Sequence, residues 1–234
     1  MSRVLVPIEV LEGKTVPPGL MELLGTMDVT VLGYHVLPEQ TPPDQARHQY
    51  EERATAALED LSEEFEDAGG AADHRLVFTH DREQTVRRVA GEIDADAFAI
   101  SGMTGEIDDL LVSLSGDVDI DRIIAFVIDL VGDRDIGVTL LLAGASDEAS
   151  GDRLEIAARR LREAGVETDT STATGSPFDA LLDAVPGHDA IVIGEAAPSL
   201  RSLVFGDEAE RVAAASVGPV LVVQRDEASE TTEP

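Results

Sequence analysis

"SLVFGDEAERVAAASVGPVLVVQ" spans residues 202–224 and carries three signals in succession. Gly206 and Asp207 open an amphipathic segment read as a helix over 208–215. A Gly-Pro break then leads into PVLVVQ, an apolar run on both faces of a strand, as a buried parallel sheet requires. Helix followed by buried strand is the closing unit of an α/β fold. A glycine and a small hydroxyl residue at such a helix start is where many α/β proteins hold a phosphate. Here the residue after Gly206 is Asp207, itself an anion.

Working back from this stretch, the chain shows the same order of elements twice. Strands are read at 4–9 (VLVPIE), 28–37, 75–80 and 96–102, with helices at 18–27, 43–67 and 82–93. The order begins again with DLLVSLSG at 109–116, a helix over 119–132, GVTLLLAGA at 137–145 and a helix over 155–165. DAIVIGE (189–195) matches DAFAISG (96–102), both opening on Asp-Ala. Only the second half continues into the 208–215 helix and the strand from Pro219 to Gln224. Two repeats follow, at 1–106 and 107–225, the first lacking its last helix and strand. An acidic tail over 226–234 reads as disordered. Alternating strands and helices predict doubly wound parallel sheets with helices on both faces. Four strands are expected in one sheet and five in a second.

Composition narrows the function classes. The chain of 234 residues has no cysteine, which excludes thiolate metal sites and cysteine nucleophiles. Acidic residues number 47 against 17 basic ones, for a net charge of −30, and Lys14 is the single lysine. Such a charge opposes binding to nucleic acid or anionic lipid. An acidic, lysine-poor surface suits a salt-rich cytoplasm, where the Debye length falls to about 3 Å at 1 M. Most carboxylates are therefore read as solvated surface. No apolar run reaches the roughly 18 residues of a membrane span, and MSRVLVPIEV runs straight into a strand, so direct membrane insertion is not expected and a cytoplasmic location is.

VLVPIE, GYHVL, DAIVIGE and FGDEAERVAAASVGPVLVVQ together resemble a tandem universal stress protein similar to haloarchaeal members, over residues 3–225. The resemblance implies an adenine nucleotide α-hydrolase-like sheet in strand order 3-2-1-4-5 and stress-linked regulation. It also implies a homodimer through the last strand. Family members that bind ATP carry a glycine loop after the fourth strand, closed by Ser or Thr, and an Asp ending the first strand. On the matching positions, the nucleotide contacts of this chain fall at Ser115, Gly194, Ala197, Gly206 and Asp207, with Glu9 as the first-half counterpart of Ser115; Arg201, the cation near this loop, is read as a surface ion-pair partner, with contact to an anionic ligand as its other reading. The loop departs from the pattern: it is one residue short, Ala197-Pro198 stands at its second glycine, and Asp207 replaces the hydroxyl. Pro198 has no N–H to offer a phosphate, and Asp207 is suited to cap its own helix. A bridging metal at Asp207 is the competing reading.

Other candidates are weaker. His80-Asp81 ends the third strand, with Asp81 read as a helix cap and His80 as a loop residue. His35 is read as a core or cleft-wall residue, and His48, His74 and His188 lack metal-ligand spacing. GMTG (102–105) is a turn, and Ser199 and Ser202 are loop formers. The function expected first is a non-catalytic regulatory protein with no cofactor, acting through an unidentified protein partner such as a membrane transporter. An ATP- or AMP-binding sensor using the second half is the alternative, and a nucleotide hydrolase comes third. For assembly, a homodimer through the strand from Pro219 to Gln224 is favoured over a pseudo-dimer within one chain, with the 103–108 link covering the first half's edge.

Overall fold

The computed structural model describes residues 1–12, 16–38, 40–69, 71–100, 102, 105–144, 148–195 and 218–225. The helix expected at 208–215 and the tail at 226–234 lie outside them. Nine strands are described: β1 (Arg3–Glu9), β2 (Asp28–Val36), β3 (Ala71–Thr79), β4 (Ala97–Ile100), β5 (Asp109–Ser113), β6 (Gly137–Ala143), β7 (Thr168–Ala173), β8 (Ala190–Gly194) and β9 (Val220–Val223). Six α-helices accompany them: α1 (Pro18–Leu24), α2 (Pro43–Asp67), α3 (Arg82–Glu92), α4 (Ile120–Val131), α5 (Glu148–Glu163) and α6 (Pro177–Ala184).

The alternation of side chains along each strand decides which helices cover which face. Val4, Val6 and Ile8 of β1 join one core with Leu20 and Leu24 of α1, Leu58 and Phe65 of α2, Ile124 and Val127 of α4, and Leu161 of α5. Leu5 points the other way, into a second core with Val86 and Val89 of α3 and Phe178 and Leu181 of α6. β9 serves both, with Leu221 and Val223 in the first core and Val220 and Val222 in the second. Its apolar character on both faces is what the sequence predicts for a central strand.

The strands form a single nine-stranded sheet in the order β3-β2-β1-β4-β9-β8-β5-β6-β7. This corrects the expectation of two separate sheets. The order 3-2-1-4 is present in residues 3–100, and 3-2-1-4-5 in residues 109–223, as expected. Every neighbouring pair is parallel except β4 and β9, which run antiparallel with Phe98 opposite Val222 and Ala99 opposite Leu221. β9 therefore covers the edge of β4, a task the sequence reading gave to the 103–108 link. The homodimer expected through the strand from Pro219 to Gln224 is corrected by the same pairing. Both edges of β9 already hydrogen-bond within the chain, to β4 and to β8, so neither can accept a second copy. Gly218 permits this insertion: a Cβ there would lie 1.4 Å from the Asp189 carbonyl oxygen.

The Asp-Ala openings of β4 and β8 have a physical cause. The Asp96 carboxylate accepts from the Arg3 N–H at 2.9 Å, and the Asp189 carboxylate accepts from the N–H groups of Asp108 and Asp109 at 3.0 Å. In each case the aspartate holds the start of the neighbouring strand, β1 or β5. Between the halves, the Arg134 guanidinium donates to the carbonyls of Glu22 (2.7 Å) and Leu23 (2.9 Å) at the end of α1, and to that of Leu130 in α4. Burial pulls the Arg134 pKa down from its ordinary value, against the opposing pull of Glu22.

Candidate functional site

β5 ends at Ser113, and the chain continues through Leu114, Ser115, Gly116, Asp117 and Val118 before Asp119 caps α4 by accepting from the Arg122 N–H. Where β6 ends, Gly144 turns the chain with φ +77°; past β7, Gly175 does so with φ +100°, and Gly116 has φ +90°. Such angles favour glycine. Three glycines with no side chains thus stand beyond three adjacent strand ends, and between them opens a cleft of about 410 Å³. Its apolar walls are Leu114, Val118, Ile120, Leu142, Leu154 and Pro177, with Ser150 and Arg153 entering from α5 and Asp117 from the β5–α4 loop. Crevices outside the carboxyl ends of parallel strands are where open α/β sheets hold ligands, and this volume lies in the small-molecule range.

The polar groups of the cleft are not equivalent. Asp117 is tied to Arg225, which donates to its carboxylate at 2.7 Å and to its carbonyl at 2.8 Å. Arg153 donates to the buried Ser150 hydroxyl at 3.2 Å. Ser115 lies in the structural place of Glu9: Val4 of β1 sits opposite Ala97 and Leu110 of β5 opposite Ala190, so the two positions correspond. Ser115 is 1% exposed, and its hydroxyl accepts from the Ala143 N–H at 2.9 Å. It fastens the end of β5 to β6.

Gly194, the other described member of the expected nucleotide site, ends β8 on the opposite side of β5. A Cβ there would come within 2.7 Å of Val118 Cγ1. The glycine is thus required by packing against the β5–α4 loop, and among the described residues the space beside it is about 10 Å³. The structure brings Ser115 and Gly194 to the same end of the sheet but separates their roles. Ala197, Arg201, Gly206 and Asp207 lie outside the described residues, as do Ser199 and Ser202.

In the first half a histidine stands at the corresponding place. The β-sheet registers put His35 where the second half has Gly144: Val29 matches Val138 through their partners Val4 and Leu110, and His35 lies six residues on. The His35 ring makes edge contacts with Tyr50 and Phe78, at centroid distances of 6.0 and 6.4 Å. His35 is half-buried against these rings. Asp81 caps α3 by accepting from the Gln84 N–H at 2.9 Å, while the His80 ring lies by the Thr41 carbonyl in a loop. Among the described residues, no cluster of three or more His, Asp or Glu could hold a metal ion. The sequence reading missed Asp117, Ser150 and Arg153. The signal that pointed to them was present: Gly116, Gly144 and Gly175 each follow a strand.

Solved structures share this architecture over nearly the whole chain. A universal stress protein from Archaeoglobus fulgidus DSM 4304 superposes with a TM-score of 0.66 at 17% identity, covering 97% of each chain. The cytoplasmic domain of a prokaryotic cation chloride cotransporter reaches 0.56 at 12% identity, over 94% of each. A functionally unknown protein from Pseudomonas aeruginosa PAO1 reaches 0.54 at 15%, covering 96% of this chain and 93% of that one. No protein-family model matches the sequence, and no curated protein matches it. A long, two-sided sheet in this strand order, matched end to end by such a protein, gives this chain a universal-stress-protein-like fold.

Proposed function

We propose that the chain is a non-catalytic regulatory protein of the universal stress protein type, built as a tandem pair, with one small-ligand site in its second half. The observation that carries this reading is the asymmetry of the two halves. The cleft beyond β5 and β6 opens at Gly144, while the matching first-half position carries His35, whose ring contacts Tyr50 and Phe78. A nucleoside or nucleoside monophosphate matches the cleft in size and in its apolar walls. A triphosphate grip of the ATP-binding kind is not part of the proposal. Ser115 is engaged inside the sheet, and the residues at the glycine loop, Ala197, Pro198 and Asp207, remove or oppose phosphate donors.

Regulation would then pass to a protein partner, in the cytoplasm of a salt-accumulating cell. No described helix is long and apolar enough to cross a membrane. The net charge of −30 speaks against nucleic acid as that partner. A membrane transporter is a reasonable class of partner, since the same fold serves as a cotransporter's cytoplasmic domain in another protein. Calorimetric titration with adenosine, AMP and ATP in molar KCl tests the ligand reading. The expected result is binding of adenosine and AMP, with ATP no tighter than AMP and not hydrolysed. ATP binding more than about tenfold tighter than AMP, or turned over, would overturn it.

A further inference from the structure

Among the described residues, the cleft carries charge on two rims, at Asp117 and Arg153. Asp117 is offset by Arg225 at 2.7 Å. Arg153, on the α5 side, hydrogen-bonds to a neutral hydroxyl, Ser150 at 3.2 Å, which steers the guanidinium without neutralising it. Among the described residues no carboxylate pairs with Arg153, whereas Arg3, Arg75, Arg88 and Arg122 each hold an Asp or Glu. The neighbouring acids of α5, Asp152 and Glu155, line a different groove with Arg159 and Arg162. In a chain of net charge −30, a guanidinium without a carboxylate partner on the wall of a cleft is a feature to explain.

β6 and β8 flank β5 from opposite directions, and the large cleft lies on the β6 side. On the β8 side, Val118 closes against Gly194 and leaves about 10 Å³ among the described residues. We propose that Arg153 recognises the anionic group of the cleft's ligand, so that a phosphate ester is held from the α5 side. This rests on reading the cleft as a ligand site. A guanidinium is suited to the task because it offers a planar, paired set of donors to phosphate oxygens.

The test is calorimetric titration of the full chain with adenosine, AMP and ribose 5-phosphate, using wild type, Arg153→Gln and Arg153→Lys. Circular dichroism confirms that the variants fold, as expected for substitutions at an exposed side chain. Wild type should bind AMP about tenfold tighter than adenosine, the difference expected of one charge-assisted contact. Arg153→Gln should erase that preference and leave adenosine unchanged, and Arg153→Lys should keep part of it. Ribose 5-phosphate should weaken in the Gln variant by the same factor as AMP. A preference for AMP that survives in Arg153→Gln overturns the inference, as does equal binding of AMP and adenosine by wild type; either leaves the cleft reading standing. Failure of all three compounds to bind wild type overturns the cleft reading and the inference with it.

Discussion

Single aspartates do much of the local positioning in this chain, and their sequence context made some of them readable. Asp81 precedes a helical run, and it caps α3 as that context predicts. Replacing it with Ala should lower stability by about 0.5–2 kcal/mol, seen as a drop in the midpoint of urea unfolding. His80→Ala should move the midpoint little, because its ring meets only a loop carbonyl. Asp189 is harder to read. The repeated Asp-Ala before β4 and β8 is plain in the sequence, yet nothing there says that the carboxylate reaches back to the N–H groups opening β5. Asp189→Ala should cost about 1–3 kcal/mol through two stranded donors. Ser115 shows the same boundary of legibility. Its correspondence to Glu9 could be aligned from sequence, but the direction of its hydroxyl depends on Ala143, 28 residues away.

Among the elements, strands with unbroken Val, Ile and Leu were legible because burial on both faces leaves no polar positions. β7 was not: TDTSTA lies on the edge of the sheet and exposes most of its side chains. α5 begins at Glu148, seven residues before its apolar stripe announces it, and β3 begins at Ala71, four before RLVFT. What no local pattern could supply is the partner of β9, since an apolar strand is equally suited to either neighbour. That pairing makes a definite prediction. Val222 is 1% exposed and faces Phe98 across the antiparallel pair. Val222→Glu should therefore unfold the chain, with loss of the far-ultraviolet circular dichroism signal. Folded monomers released from a dimer would contradict the pairing. Arg134 joins the ends of α1 and α4 in a comparable way, and Arg134→Ala should cost about 1–3 kcal/mol as carbonyls at two helix ends lose a charged donor. A shift in the thermal midpoint of the whole chain, rather than of one half, is the expected readout.

At the scale of the molecule, charge and the cleft set the behaviour. With 47 acidic residues against 17 basic ones, self-repulsion should loosen the folded state in dilute buffer and fade as salt shortens the Debye length to about 3 Å at 1 M. The unfolding midpoint should accordingly rise with KCl, and a midpoint independent of salt would show that the charge is already offset locally. The overall α/β order was legible because both halves repeat it. The inequality of the halves was not, since it turns on His35 standing where Gly144 stands and on how Tyr50 and Phe78 pack around that ring. That inequality is the centre of the functional account, and stoichiometry tests it most directly. Equilibrium dialysis of AMP against the purified chain in molar KCl should give one molecule bound per chain, and none in Leu142→Trp, whose larger side chain fills the cleft. Two molecules per chain, or binding that persists in Leu142→Trp, would contradict it.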